Sequence, residues 1–150
     1  MAQMTDIAIR PLEPDDFDHW QQLFTGYLGY YETSLSQDIK QSTFARLLDP
    51  GSKLHCRLAI SNGAPVGLVH YIFHDNTWRP EGVCYLQDLY SDPAVRGAGV
   101  GRKLIETVYQ AAADAGVPTV YWMTQDFNTT ARRLYDKVAT KTPFIRYQHG

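Results

Sequence analysis

The chain has 150 residues, 44% of them hydrophobic and 20% charged, with a formal net charge of −2, the balance of one compact globular domain over residues 1–150 with a single sizeable core. Its 14 basic residues are dispersed, which gives no electrostatic footprint for nucleic acid or a membrane surface, so any anion site has to be local. The N-terminus MAQMTDIAIR has no cleavage-type stretch, no segment approaches the ~20 apolar residues that span a bilayer, and Cys56 and Cys84 lie in apolar runs far from a second cysteine; the expectation is a cytoplasmic protein whose thiols stay reduced.

Residues 4–10 carry a short strand-like run. Pro14 with Asp15 and Asp16 behind it marks a helix start, because proline and acids both suit a first turn. Phe17, Trp20, Phe24, Tyr27 and Leu28 follow at helical spacing. After the polar and aromatic link GYYETSLSQ, Ile39, Phe44, Leu47 and Leu48 suggest a second helix, which Asp49-Pro50-Gly51 ends. LHCRLAI and PVGLVHYIF flank Asn62-Gly63, a strong hairpin signal, and predict two antiparallel strands.

The turn-rich loop DNTWRPEG leads to the strand VCYLQDLYS, which runs straight into DPAVRGAGVGRK. From Val100 onward Leu104, Ile105, Val108, Tyr109 and Ala112 share one helical face, closed by Gly116. VPTVYWMT predicts a fifth strand, Asn128 can cap a helix bearing Ala131, Leu134, Tyr135 and Val138, and TPFIRYQ predicts a last strand. The sheet is therefore expected to be mixed, with a strand-helix-strand crossover in its second half.

The glycines of DPAVRGAGVGRK sit between a strand and a helix N-terminus. Unpaired N–H groups and the positive end of the helix dipole meet there, and glycines let an anion approach the backbone. Arg96, Arg102 and Lys103 add charge, and arginine can hold phosphate through two hydrogen bonds. A Walker loop needs a Gly-Lys-Ser/Thr at a spacing this stretch lacks. A dinucleotide fingerprint, which would imply hydride transfer, meets Arg102 where its third glycine belongs. A plain glycine-rich turn is the remaining alternative.

The same stretch resembles the GNAT superfamily of acyl-CoA-dependent N-acyltransferases, whose fingerprint R/Q-x-x-G-x-G/A is matched by Arg96, Gly99 and Gly101. YLQDLYSDP upstream is similar to the family's fourth strand, and NTTARRLY at residues 128–135 to its N-x-x-A-x-x-L/F-Y helix. HYIFHDNTWRPEGVCYLQDLYSDPAVRG looks most like the diamine (spermidine/spermine) and related small-amine and histone-type branch. The resemblance implies an α/β GNAT fold, a mixed, mostly antiparallel sheet of six to seven strands flanked by about four helices. It also implies acetyl-CoA as co-substrate and, by family habit, a homodimer. The loop Arg96, Gly97, Ala98, Gly99, Val100, Gly101 and Arg102 would cradle the coenzyme pyrophosphate. Leu89, Tyr90 and Ser91 would pair with pantetheine at a splay after the fourth strand. Asn128 matches the coenzyme-contacting asparagine and Tyr135 the general acid.

The implied reaction moves acetyl from acetyl-CoA to a primary amine by direct attack through a tetrahedral intermediate. The acceptor is a small amine such as a polyamine or amino acid, or a lysine side chain of a peptide. A phenol of pKa about 10 can protonate a leaving thiolate. Gln87 stands where the branch places an acid, and it cannot take a proton. Asp88, Glu32 or a chain of waters must then serve, yet neighbouring residues of a regular strand face opposite ways, so only a bulge lets Gln87 and Asp88 share a cleft. Tyr31 and Glu32 suit an ammonium group through an aromatic face and a carboxylate, and Trp78 could add a wall. His70 and His74 share a strand face and read as structural or cleft-lining, with no metal expected because cysteine and carboxylate partners are missing. The glutamine at 87 motivates one other reading, a non-catalytic acyl-CoA-binding sensor or interaction module.

Overall fold

A computed structural model describes residues 6–150. Ile7–Pro11 forms β1; Met4 and Thr5, the start of the expected first strand, lie outside the described residues. A turn of 3-10 helix at Pro14–Asp16 then leads into α1, Phe17–Tyr30. Both guanidinium nitrogens of Arg10 donate to the buried Asp16 carboxylate, at 2.7 and 2.8 Å, and the Glu13 N–H donates to it as well. Those bonds hold the Asp16 carboxyl below the usual carboxylate range and fix where α1 leaves the first strand.

Helix α2 covers Gln37–Leu48, with the Ser36 hydroxyl accepting from the Ile39 N–H. Only Phe44 of its apolar residues is buried; Ile39 is 47% exposed, so α2 offers the core a narrower stripe than its sequence suggests. β2 (Leu54–Ser61) and β3 (Ala64–His74) form the expected hairpin. Asn62 and Gly63 turn it with φ of 52° and 77°, the left-handed pair that a tight hairpin turn requires. β4 runs over Val83–Ser91, α3 over Val100–Asp114, β5 over Val120–Tyr121 and α4 over Thr129–Val138.

The sheet follows chain order, β1-β2-β3-β4-β5. The first four strands pair antiparallel, and α3 carries the chain across so that β5 runs parallel to β4. On one face, Trp20, Leu23, Phe24 and Leu28 of α1 and Phe44 of α2 pack with Cys56, Leu58 and Leu68. On the other, Val100, Leu104, Ile105, Val108 and Ala112 of α3 pack with Ala59, Val69, Tyr71, Cys84 and Leu86, and Leu134, Tyr135 and Val138 of α4 lean on the same cluster. Each fully buried large side chain contributes roughly 1.5–3 kcal/mol. A Cβ on Gly67 of β3 would stand 2.9 Å from the Tyr90 carbonyl and 2.9 Å from Val100, so glycine is what lets α3 begin so close to the sheet.

Two expected strands come out differently. VPTVYWMT contributes only Val120–Tyr121 to the sheet, and TPFIRYQ forms no strand, leaving five among the described residues rather than six or seven. Phe144, Ile145 and Tyr147 are 82%, 76% and 89% exposed, so the last segment has strand-like residues but, among the described residues, no strand beside it to supply hydrogen bonds.

Candidate active site

The parallel pairing of β4 and β5 consists of two positions, Cys84 with Val120 and Tyr85 with Tyr121. Beyond them the strands part. Leu89, Tyr90 and Ser91 pair with Val69, Leu68 and Gly67 of β3, and on the β5 side their backbone edge has no ladder partner. This open edge leads into the glycine loop. The Asp92 carboxylate accepts from the Ala94 N–H at 2.9 Å and starts a short turn at Pro93–Val95. Gly97 and Gly99 follow with φ of 89° and 84°, and a Cβ on either would meet no atom, so backbone conformation rather than crowding calls for glycine there.

Gly99 is the N-cap of α3 and has no side chain to satisfy the first turn. The first backbone bond back to the cap is Lys103 N–H to the Gly99 carbonyl, at 3.1 Å. The N–H groups of Val100, Gly101 and Arg102 are thus available to an anion at the exposed loop. The charged side chains around it differ. The Arg96 guanidinium lies over the Tyr90 ring, 5.8 Å from its centre, in a cation–π contact that holds it beside the open edge of β4. Arg102 donates to Glu106 at 3.0 Å, and Lys103 reaches back to the Ile7 carbonyl at 3.4 Å, so neither is drawn to the loop. Tyr90 also meets α1, because its hydroxyl fills the space 2.5 Å from where a Cβ on Gly26 would stand.

Across the opening stands α4. Its preceding residue, Asn128, makes no capping bond; its side-chain amide donates to the Thr124 hydroxyl at 3.4 Å. Tyr135 packs edge-on against Trp122 with ring centres 5.4 Å apart, while the Tyr109 hydroxyl donates to the Val138 carbonyl and pins the helix end to α3. The Tyr135 phenol is pushed up to about 12, first by burial and then by the phenols of Tyr31 and Tyr30. Those two belong to the end of α1, on the other face of the sheet. The gap between β4 and β5 therefore brings Tyr135 and Tyr31, 104 positions apart in the chain, into electrostatic reach of each other.

The acceptor-side candidates depend on an irregularity in β4. Pairing with β3 shifts at Gln87: Leu86 pairs with Tyr71 and Asp88 with His70, so Gln87 is an extra residue, a β-bulge. Before it, Cys84 and Leu86 join the α3 cluster; after it, Leu89 joins that cluster while Tyr90 joins the α1 cluster. The alternation is reversed, which places both Gln87 and Asp88 on the α1 face. Gln87 is exposed and Asp88 is 9% exposed. The sequence-level objection to their sharing a cleft is removed by the bulge.

Asp88 is anchored from beneath. His70 Nδ1 lies 2.8 Å from an Asp88 oxygen, and the Trp20 indole N–H donates to His70 Nε2 at 2.9 Å, all three side chains being buried. Tyr27 faces the same carboxylate; burial pushes its phenol up, and the Asp88 charge pushes it further. Tyr31 packs on Tyr27 with ring centres 5.2 Å apart and is 38% exposed. Glu32, the other acceptor-side candidate, is exposed just past α1 with φ of 56° and makes no ion pair among the described residues. Trp78 is 87% exposed. His74 bonds the Tyr121 hydroxyl at 2.7 Å, and Tyr121 stacks on Tyr85. At the level of sequence Trp20 and Tyr27 are members of a helical apolar stripe, and nothing in that periodicity links them to His70 or Asp88.

Among the described residues no group of three or more His, Cys, Asp or Glu could hold a metal ion, and no helix is long and apolar enough to cross a membrane. The profile of the acetyltransferase (GNAT) family matches residues 16–139. A D-amino-acid N-acetyltransferase of Saccharomyces cerevisiae is 41% identical over 146 residues, which cover 96% of this chain and 91% of the relative. A thialysine N-epsilon-acetyltransferase of Bos taurus is 34% identical over 119 residues, 72% of this chain and 69% of the relative. Among solved structures, an aminoglycoside N-acetyltransferase in complex with coenzyme A superposes with a TM-score of 0.84 at 17% identity, covering 97% of this chain and 95% of that one.

Proposed function

The chain belongs to the acetyltransferase (GNAT) family, whose enzymes use acetyl-CoA, and on that premise we propose that it transfers acetyl to the primary amine of a small amino-acid-like molecule. The observation that carries this reading is the parting of β4 and β5 after Tyr85 and Tyr121. The opening has an uncapped helix N-terminus at one end, Tyr135 on one side and Asp88 on the other. Relatives named for D-amino acids and for thialysine support an acceptor that carries an amino-acid skeleton.

Acetyl-CoA supplies an acetyl group activated as a thioester. In this reading the N–H groups of Val100, Gly101 and Arg102, with Gly97, Ala98, Gly99 and Arg96 around them, bind the pyrophosphate. Leu89, Tyr90 and Ser91 offer backbone groups along the open edge, and Asn128 contributes a side-chain amide from the opposite wall. Tyr135, kept protonated by its burial, donates to the leaving sulfur. On the acceptor side Tyr31, Glu32 and Gln87 line the approach of an ammonium group, and Asp88 takes its proton.

A thiol-release assay with acetyl-CoA and a panel of D- and L-amino acids, diamines, an aminoglycoside and a lysine peptide tests the reading. Turnover is expected with amino acids above the other classes. Coenzyme binding with no thiol release from any amine would return the chain to the non-catalytic sensor reading. We further propose a cytoplasmic homodimer formed by a single domain over residues 1–150. Both free cysteines are buried, which suits a reducing compartment. The exposed Phe144, Ile145 and Tyr147 support a second copy as the partner that covers them. Ile145→Asp should turn a dimer into a monomer in analytical ultracentrifugation, and a wild-type monomer at micromolar concentration would remove that part of the proposal.

A further inference from the structure

Three buried side chains from three elements form an ordered row: Trp20 of α1, His70 of β3 and Asp88 of β4. An indole nitrogen can only donate a hydrogen bond. With Trp20 donating to Nε2 at 2.9 Å, that nitrogen must carry its lone pair, so the ring proton sits on Nδ1 and points at the Asp88 oxygen 2.8 Å away. The direction of the row is therefore fixed from both ends, since the indole can only donate and an ionised carboxylate can only accept. His70 is 5% exposed and packs against Trp20 and Phe24, and among the described residues Asp88 is the one acceptor its Nδ1 meets. Asp88 is faced by His70 from β3, by Tyr27 of α1 and Tyr31 just past it, by Cys56 of β2 and by Tyr85 of its own strand.

We propose that Trp20 and His70 are positioning residues that hold Asp88 as a hydrogen-bond-accepting carboxylate on the acceptor side, with His70 keeping its own proton throughout turnover. The inference rests on the reading of Asp88 as the group that takes the amine's proton. One proton leaves the ammonium for Asp88 and goes on to solvent. A second leaves nitrogen as the C–N bond forms and the C–S bond breaks, and it restores the proton that Tyr135 gives to sulfur. His70 neither gains nor loses a proton, because a second ring proton at Nε2 would oppose the Trp20 N–H.

Nitrogen-15 spectra of the labelled protein give a readout independent of catalysis: the His70 ring is expected to be protonated at Nδ1 and bare at Nε2, and the opposite tautomer overturns the proposal. His70→Leu should lower kcat about twenty-fold and leave KM for acetyl-CoA unchanged, since it removes the donor that orients the Asp88 carboxylate. His70→Asn, whose amide N–H can replace Nδ1–H, should recover kcat to within about three-fold of wild type. Trp20→Phe keeps an aromatic side chain and removes the donor, so the Nε2 resonance should shift while Nδ1 keeps its proton hydrogen-bonded to the Asp88 carboxylate. Equal losses in His70→Leu and His70→Asn, or a folded His70→Leu protein with wild-type kcat, would overturn the positioning role. Asp88→Asn separates the two levels: wild-type activity there sinks the premise, while its inactivity beside an unaltered His70→Leu sinks only the inference.

Discussion

The two sides of the opening between β4 and β5 are built by different means. The side proposed for the acetyl donor, from Leu89 through the glycine loop to Arg102, is one continuous run of chain, and what it offers is mostly backbone: an unpaired strand edge and uncapped N–H groups. The side proposed for the amine acceptor is assembled from α1, β3 and β4, with contacts that span 50 and 18 positions, and what it offers is side chains in a set order. A backbone site tolerates changes of side chain and fails when its conformation is lost. A site made of side chains fails one residue at a time.

That contrast can be broken experimentally, beginning where the two sides meet. Tyr135→Phe should lower kcat about a hundred-fold, the lower end of what a positioned proton donor contributes, with KM for acetyl-CoA unchanged. A loss confined to KM would assign Tyr135 to binding alone. Gly99→Val is the test of the donor side: a β-branched residue at φ 84° is strained, so acetyl-CoA should bind about ten-fold more weakly while the order of preference among amines stays as in wild type. A change in that order would show that the two sides are not separable.

The pH profile sharpens the comparison further. Because the Tyr135 phenol is pushed up to about 12, it keeps its proton while the amine loses its own, so kcat should rise with pH and then hold level through about pH 10. A fall below that point, absent in Tyr135→Phe, would show a phenol that ionises in its ordinary range. The smallest effect is expected from Arg102→Ala, under about two-fold in acetyl-CoA affinity, because that guanidinium is already engaged with Glu106 on an exposed helix face. Arg96→Ala, measured alongside, should exceed it.

The two sides also differ in how far the amino-acid sequence spells them out. The glycine loop is legible there because glycine itself encodes a backbone requirement, and at positions 97 and 99 that requirement is a positive φ. The hairpin at Asn62-Gly63 is legible for the same reason. The bulge at Gln87 is visible in the sequence only as a possibility, since one extra residue in a strand leaves no compositional trace and shows only when the partner strand is counted against it. The row from Trp20 to Asp88 is hidden by a helix stripe that reads equally well as plain core. TPFIRYQ misleads because apolar alternation specifies a strand only if another strand lies beside it, and none does among the described residues.

Tyr90 has a practical consequence for anyone who would retune the acceptor by transplanting α1 from a relative. Its hydroxyl occupies the space above Gly26, so a graft that brings even alanine to position 26 displaces the ring. The ring is the surface on which Arg96 rests. With Arg96 in its proposed place at the coenzyme, a swap intended to alter amine choice would then weaken coenzyme affinity through a residue that the designer never touched, and keeping glycine at 26 is the condition for the exchange to be modular.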